Sequence, residues 1–194
     1  MVSPSSVCVY CGSSSRVNDV YKEAARSLGT GLAHAGIQLV YGGGRVGLMG
    51  ILADAALAAG GRVVGIIPEH IQALEVDHTG LSELVVVGSM HERKRMMVDR
   101  SDAFVVLPGG LGTLDETFEI VTWKQLRLHD KPIVIADIAG YWEPLTRLFE
   151  HMDAEHFISG GYRRLFSVVG TVGEALEAVR QHPAPATPTD SRAM

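Results

Sequence analysis

The chain has 194 residues, of which 46% are apolar and 20% are charged, and this is enough for one α/β domain with a sizeable core. Its net charge of −5 argues against a nucleic-acid-binding surface, which usually shows a basic face. No apolar run approaches the roughly 20 residues that span a bilayer, and the polar start is unlike a signal peptide. We therefore expect a cytoplasmic protein that does not enter a membrane.

Apolar runs bounded by turn residues predict seven strands, over residues 7–10, 37–41, 62–67, 84–87, 103–107, 132–136 and, more briefly, 166–169. Helical patterns alternate with them over residues 21–35, 48–59, 114–128 and 174–181, and a further helix begins at Met90. Continuous apolar strands that alternate with helices indicate a parallel sheet covered on both faces. The predicted fold class is α/β, a single doubly wound, Rossmann-like parallel sheet with helices on both faces.

The ends and one internal segment differ from this pattern. Residues 1–182 are expected to form the one domain, whereas residues 183–194 are rich in Pro, Thr, Ala and Ser and predict a disordered tail. Residues 69–83 show no strong period and predict a loop over the ligand site.

The most informative segment is PGGLGTLDE at residues 108–116, between the fifth predicted strand and the helix after it. Its three glycines are expected to adopt positive φ and let the backbone approach a ligand, while the N–H groups of the helix start attract an anion. Thr113 adds a hydroxyl donor, and Glu116 lies about one helical turn further on. An enzyme that acts on a phosphorylated sugar needs this combination of phosphate cradle and carboxylate. The candidate substrate-binding residues of the segment are Gly109, Gly110, Leu111, Gly112, Thr113, Leu114 and Asp115.

Two other strand ends carry candidate ligand groups. Gly43 and Gly44 belong to a second glycine-rich turn, after the second predicted strand. Ser14 follows the first strand, where its hydroxyl could contact phosphate or ribose or merely cap the next helix. Ligands of doubly wound sheets bind at the carboxyl ends of strands, near the point where the strand order reverses. We therefore expect these turns to meet at one site.

Arg93 and Lys94 lie in the helix after the fourth predicted strand. Arg93 could simply pair with acids on a packed helix, and Glu116 could merely complement the dipole of its own helix. Beside the glycine turn we favour a catalytic pair. Glu116 would stabilise positive charge on a sugar ring and orient or deprotonate a water, whereas Arg93, whose guanidinium stays protonated, would act electrostatically.

Together these segments resemble the Lonely Guy family of cytokinin-activating phosphoribohydrolases, whose signature is PGGxGTxxE preceded by an RK pair. The likeness extends over most of the chain, from residues 11–14 through residues 41–50 to residues 122–132. It implies cleavage of the N-glycosidic bond of N6-modified adenosine 5′-monophosphates, with release of the free base and ribose 5-phosphate. It supports Arg93 and Glu116 as catalytic residues and adds Glu75, Lys94 and Thr122 as substrate contacts. It also implies a homodimer with active sites near the interface.

Some members of this family have been labelled lysine decarboxylases, but no lysine of this chain lies in a recognisable pyridoxal phosphate context. A non-catalytic nucleotide carrier, similar to molybdenum-cofactor carrier proteins of related fold, is the alternative. Such a carrier would keep the glycine turns without using Arg93 and Glu116 together, so their joint presence favours an enzyme. Isopentenyladenine, zeatin and plain adenine all remain candidate bases.

We expect neither a cofactor nor a metal. Cys8 and Cys11 are separated by an odd spacing next to a predicted strand, which sends their side chains to opposite faces and predicts inert thiols. The histidines and acids of residues 151–156 match no common metal-site spacing and are expected to form a solvated face.

Overall fold

The computed structural model describes residues 4–72 and 80–181, in which strands and helices alternate along the chain. The strands are β1 (Ser6–Tyr10), β2 (Gln38–Tyr41), β3 (Val63–Pro68), β4 (Glu83–Val87), β5 (Ala103–Val106), β6 (Ile133–Ala136) and β7 (Ser167–Val169). The helices are α1 (Asp19–His34), α2 (Gly47–Ala58), α3 (Glu69–Gln72), α4 (Met90–Asp99), α5 (Leu111–Gln125), α6 (Glu143–Ala154) and α7 (Val172–Gln181). Short 3-10 turns lie at Ile138–Gly140 and Gly160–Arg164.

All seven strands join one parallel sheet in the order β4-β3-β2-β1-β5-β6-β7. From β1 the chain adds strands on one side as far as β4, and it then adds β5 to β7 on the other side. The direction changes between β1 and β5, where Tyr10 pairs with Val106. Loops diverge at such a point and leave a crevice at the carboxyl ends of the strands. The predicted fold class is confirmed.

Helices cover both faces of the sheet, which explains why the strands read as continuous apolar runs. On one face α1, α2 and α7 contribute residues such as Leu28, Leu52 and Ala175 to the core. On the other face α4, α5 and α6 contribute residues such as Met97 and Phe149. Within the two described ranges, none of the helices has the length and apolar character needed to cross a membrane.

The two cysteines lie on opposite faces, as their spacing predicts. Cys8 belongs to one core and Cys11 to the other, and both are free thiols. Burial raises the pKa of each thiol above its ordinary value, which keeps both protonated and unreactive at neutral pH.

Several elements differ from the sequence prediction. α5 begins at Leu111 and ends at Gln125, in each case three residues earlier than expected, and Arg127 after it has a left-handed φ of 60°. Part of the predicted loop over residues 69–83 is the short helix α3, and the strand β4 begins at Glu83. α6 was not among the predicted helices, although Leu145, Leu148, Phe149 and Met152 recur along it at helical spacing. The predicted tail, residues 183–194, lies outside the described residues.

Candidate active site

A cleft of about 270 Å³ opens at the carboxyl ends of β1 and β5, where the strand order changes direction. The turns after β1, β2 and β5 line it, together with α4 and the first turn of α5. The lining includes Gly12, Ser13, Gly42, Arg93, Gly110, Leu111, Gly112, Thr113 and Glu116. The strand ends that carry the predicted ligand groups therefore meet at one site.

α5 begins at this cleft with an open N-terminus. Gly110 is its N-cap residue and provides no side-chain cap. A Cβ atom added to Gly110 or Gly112 would meet no described atom within 4 Å, and Leu111 between them is 86% exposed. The first N–H groups of a helix lack intrahelical partners and carry partial positive charge. Space and charge at this helix start are therefore suited to a phosphate.

The glycines of this turn do not adopt positive φ, so that part of the prediction was wrong. Gly110 has a φ of −97°, and the left-handed glycines of the described chain lie elsewhere. Gly109 is required for close packing instead, because a Cβ there would overlap the Thr113 hydroxyl and lie 2.9 Å from the Gly12 nitrogen. Gly110 and Gly112 leave open space in front of the helix start. The backbone enters the right-handed helix without passing through a left-handed residue.

Glu116 lies one turn into α5 and is only 9% exposed. Burial raises the pKa of its carboxyl to about 7, although the positive charge of Arg93 opposes the rise. Its protonated and ionised forms are thus both populated near neutral pH. A carboxyl with such a pKa, on the wall of a cleft, is suited to proton transfer or to stabilising a cation.

Arg93 is partly buried and contacts the backbone of neighbouring segments rather than pairing at the surface of α4. Its Nε donates to the carbonyl of Ile66 at 3.1 Å, and its Nη2 donates to the carbonyl of Gly42 at 3.3 Å. The same Nη2 lies 3.8 Å from Oε1 of Glu116. A Cβ atom at Gly42 would overlap Nη2, so this glycine makes room for the guanidinium. Gly42 was not among the predicted site residues, although it stands first in the predicted glycine turn.

Lys94 points away from the cleft, toward the side of α5. Its Nζ lies 3.2 Å from Oδ2 of Asp115 and 3.1 Å from Oε1 of Glu119. Burial alone would lower the pKa of Lys94, but the hydrogen bonds to Glu119 and Asp115 raise it overall. Over the described part of the chain, neither Lys94 nor Asp115 lines the cleft. In this single chain the pair joins α4 to α5.

The second glycine-rich turn and the start of α2 pack against the turn after β1. Leu48 donates its N–H to the carbonyl of Gly12 at 3.0 Å. Gly47 has a φ of 69°, and a Cβ there would collide with the Ser13–Ser14 backbone. Gly43 has a φ of 79° and approaches Ile67. Gly43 thus shapes the turn and Gly44 is buried in it, but of the three glycines only Gly42 lines the cleft.

Three other predicted contacts have different surroundings. Ser13 lines the cleft, whereas the hydroxyl of Ser14 accepts a 3.3 Å hydrogen bond from the N–H of Arg16. Leu114 packs against the core. Thr122 is exposed and lines a groove on another side of α5, so one chain does not bring it to the cleft. Glu75 lies outside the described residues.

Apolar side chains that were not among the candidate site residues complete the cleft. Met49, Ile71, Met90 and Met97 line it, and the sulfur of Met90 lies 3.7 Å from Nη1 of Arg93. Three of these residues are methionines, which are flexible and adapt to irregular apolar groups. Met90 lies three residues before Arg93 and Met97 lies four residues after it, so helical spacing places both on the same face as Arg93. This spacing was the signal in the sequence that could have identified them.

The chain matches one family model and several curated proteins by sequence. Residues 49–179 match the model of a family described as "Possible lysine decarboxylase". A protein of Rhodococcoides fascians named cytokinin riboside 5′-monophosphate phosphoribohydrolase is 46% identical over 178 residues, which are 91% of this chain and 90% of that protein. A protein of the same name from Arabidopsis thaliana is 39% identical over 176 residues, which cover 91% and 83% of the two chains.

Solved structures show the same fold at lower identity. The molybdenum cofactor carrier protein of Chlamydomonas reinhardtii superposes with a TM-score of 0.70 at 24% identity, over 91% of this chain and 96% of that one. The molybdenum cofactor binding protein of Rippkaea orientalis gives a TM-score of 0.69 at 20% identity, over 89% and 93%. At these identities the likeness establishes the fold alone.

The interaction between Arg93 and Glu116 can be measured directly. Replacing Arg93 by Met removes the positive charge that lowers the pKa of Glu116, so we expect this pKa to rise above about 7. Carbon-13 NMR titration of the glutamate carboxyls would report it. The control is Arg95→Met, which removes an exposed arginine of α4 paired with Asp99 and should leave the pKa unchanged. An equal or lower pKa in Arg93→Met would contradict the coupling.

Proposed function

The chain belongs to the family of cytokinin riboside 5′-monophosphate phosphoribohydrolases, the Lonely Guy family, and we propose on that premise that it hydrolyses N6-modified adenosine 5′-monophosphates. The products are the free base and ribose 5-phosphate. The observation that carries the proposal is the union, in one cleft, of an open helix start and a buried carboxyl one turn away. The names of relatives with 39–46% identity support it independently.

The substrate phosphate binds at Gly110–Thr113 in this proposal. The N–H groups of the helix start and the hydroxyl of Thr113 donate to its oxygens. The phosphate is remote from the bond that breaks, and its binding energy holds the ribose in a fixed position beside Glu116. The apolar side chains of Met49, Ile71 and Met90, also in the cleft, favour a base with an apolar N6 substituent.

Glu116 acts on the sugar in its ionised form. Cleavage of an N-glycosidic bond develops positive charge on the ribose ring, as in other reactions of oxocarbenium character. A carboxylate in a poorly hydrated site stabilises this charge more strongly than water does. The same carboxylate orients the attacking water or accepts its proton. A pKa near 7 is suited to accepting a proton at neutral pH.

Arg93 supports this reaction without transferring a proton, because guanidinium is not a practical acid at neutral pH. Carbonyl groups of Ile66 and Gly42 hold it in place. Its charge keeps part of the Glu116 population ionised and offsets negative charge on the phosphate or the departing base. Lys94 supports the placement of Arg93 relative to Glu116, because its ion pair with Asp115 joins α4 to α5. The proposal also includes a direct contact of Lys94 or Asp115 with the substrate.

A hydrolase accounts for the site better than the two other activities that the comparisons suggest. A lysine decarboxylase using pyridoxal phosphate would need a lysine amine in the cleft, and the described lining contains no lysine. A cofactor carrier shares the fold, but it has no need of a buried carboxyl paired with an arginine. The curated relatives named phosphoribohydrolases favour the hydrolase.

The proposal also includes a cytoplasmic homodimer. Free cysteines are typical of a reducing compartment. On α5, Phe118, Val121 and Thr122 line a groove of about 490 Å³, and Leu126 at the end of the helix is 64% exposed. Apolar surface of this kind commonly marks an interface between proteins. A second copy of the chain on α5 would cover it.

Replacing Glu116 by Gln tests the catalytic assignment. The amide keeps the shape but cannot carry negative charge, so we expect the release of base from isopentenyladenosine 5′-monophosphate to slow by about two to three orders of magnitude. Chromatography of the free base would measure the rate, and thermal unfolding would check the fold. Glu150→Gln, an exposed change on α6, is the matched control. A rate within threefold of the unaltered protein at equal stability would refute the role of Glu116.

The phosphate cradle has its own test. The riboside, which lacks the phosphate, should be cleaved far more slowly than the monophosphate, in kcat as well as in kcat/KM. Gly112→Val should weaken the use of the monophosphate without unfolding the protein, because the added side chain occupies the space in front of the helix start. Equal use of riboside and monophosphate, or normal kinetics of a folded Gly112→Val protein, would contradict the cradle.

Light scattering tests the assembly. We expect twice the chain mass of 20.8 kDa at micromolar concentration. Thr122→Arg should shift the protein toward the single chain, because an added charge in the groove would be costly to bury. Ser27→Arg places the same charge on the exposed face of α1 and should have no such effect. A single-chain mass for the unaltered protein would disprove the homodimer.

A further inference from the structure

Tyr141, on the segment between β6 and α6, contacts the turn that starts α5. Its hydroxyl donates a 2.6 Å hydrogen bond to the carbonyl of Gly109. The two residues are separated by 32 positions in the sequence, so the bond depends on the folded arrangement of the two strand ends. Neither the sequence motifs nor the resemblance assigns any role to Tyr141.

The backbone around Tyr141 is built to direct its side chain toward this turn. Ala139 and Gly140 have φ values of 54° and 73°, and two successive left-handed residues reverse the chain after β6. An alanine with positive φ is uncommon and costs free energy, so the surrounding contacts must maintain it. The N–H of Trp142 donates to Asp137 Oδ1 at 2.5 Å and closes the reversal.

Aromatic contacts fix the ring of Tyr141 on two sides. It meets the ring of Tyr21 edge to face, with centroids 5.5 Å apart, and the ring of Trp142 at 4.8 Å. Trp142 is buried, while Tyr141 is 38% exposed. The hydroxyl is therefore held at a defined position by packing that does not itself need the hydroxyl.

The bond to the Gly109 carbonyl has a consequence for the next amide. A trans peptide is planar, and its C=O and N–H point in opposite directions. Holding the carbonyl of Gly109 toward Tyr141 therefore fixes the N–H of Gly110 in the opposite direction. Gly110 lines the cleft, and its amide is part of the open start of α5. On the other side of this turn, the N–H of Gly12 donates to the carbonyl of Pro108 at 3.1 Å.

We infer that Tyr141 is a positioning residue for phosphate binding. Its hydroxyl orients the Gly109–Gly110 peptide so that the N–H of Gly110 faces the substrate phosphate. This inference rests on the proposed function, in particular on the cradle at Gly110–Thr113. Glycine on both sides of the peptide makes the constraint necessary, because glycine has more conformational freedom than any other residue. Without an external bond the peptide plane would rotate more readily.

The variant Tyr141→Phe removes the hydroxyl and keeps the ring between Tyr21 and Trp142. Isothermal titration calorimetry with ribose 5-phosphate measures the cradle without requiring turnover. We expect the dissociation constant to rise about three- to tenfold, in line with the loss of one hydrogen bond. With the monophosphate as substrate, kcat/KM should fall by a similar factor, while the slow cleavage of the riboside is unchanged.

Tyr21→Phe is the matched control, since it removes a hydroxyl from the neighbouring ring and leaves the bond to Gly109 intact. It should bind ribose 5-phosphate as the unaltered protein does and keep its melting temperature, whereas Tyr141→Phe should lose only the few degrees expected for one hydrogen bond. Unchanged binding in Tyr141→Phe, or equal weakening in both variants, would overturn the inference. So would a failure of the unaltered protein to bind ribose 5-phosphate.

A failure of the proposed function and a failure of the role of Tyr141 give different results. If the unaltered protein binds ribose 5-phosphate but releases no base from any monophosphate, the proposed function is wrong and calorimetry still decides the role of Tyr141. If it releases base and Tyr141→Phe binds ribose 5-phosphate normally, only the inference on Tyr141 is wrong.

Discussion

The burial of the Glu116 carboxyl beside the Arg93 guanidinium is the constraint on which the site depends. Removing a carboxylate from water raises its pKa, and here the rise reaches about 7 because a nearby cation opposes it. A carboxyl that titrates near neutral pH is common at catalytic sites and uncommon elsewhere. The protein maintains this state by fixing the cation as well as the acid. Backbone carbonyls of β3 and of the turn after β2 hold Arg93, and the missing side chain at Gly42 leaves space for it.

The sheet topology brings these groups together from distant parts of the sequence. Strands β1 and β5 are neighbours at the point where the strand order changes direction, so the turns after them border one crevice. The open start of α5, where we propose that phosphate binds, lies on one of these turns, and Glu116 follows one helical turn later. The ion pairs of Lys94 with Asp115 and Glu119 tie α4 to α5, so the helices that carry Arg93 and Glu116 are joined. The proposed phosphate site and the proposed catalytic carboxyl are thus held by the same two helices.

Much of this arrangement could be predicted from the sequence, and the failures have physical causes. Apolar runs identify the strands, because a parallel sheet with two covered faces leaves little room for polar residues. The motif at residues 108–116 identifies the helix start and the acid. The conformation of its glycines could not be predicted in this way, since a glycine may serve positive φ, close packing or empty space. Gly109 serves packing, while Gly110 and Gly112 leave space. Lys94 and Thr122 show the same limit, because the direction of a side chain on a helix depends on which neighbours the fold supplies.

The pH dependence of kcat/KM for a nucleoside 5′-monophosphate tests the central claim, that catalysis uses the ionised form of a buried Glu116. The pKa of Glu116 is raised to about 7, so its active form is lost as pH falls through this value. We predict that kcat/KM rises with pH and reaches half of its maximum near pH 7. In Glu116→Gln this limb should disappear, and only the titration of the substrate phosphate near pH ~6 should remain. A profile that is flat between about pH 5 and 8, or one that keeps the limb near pH 7 in Glu116→Gln, would contradict the account.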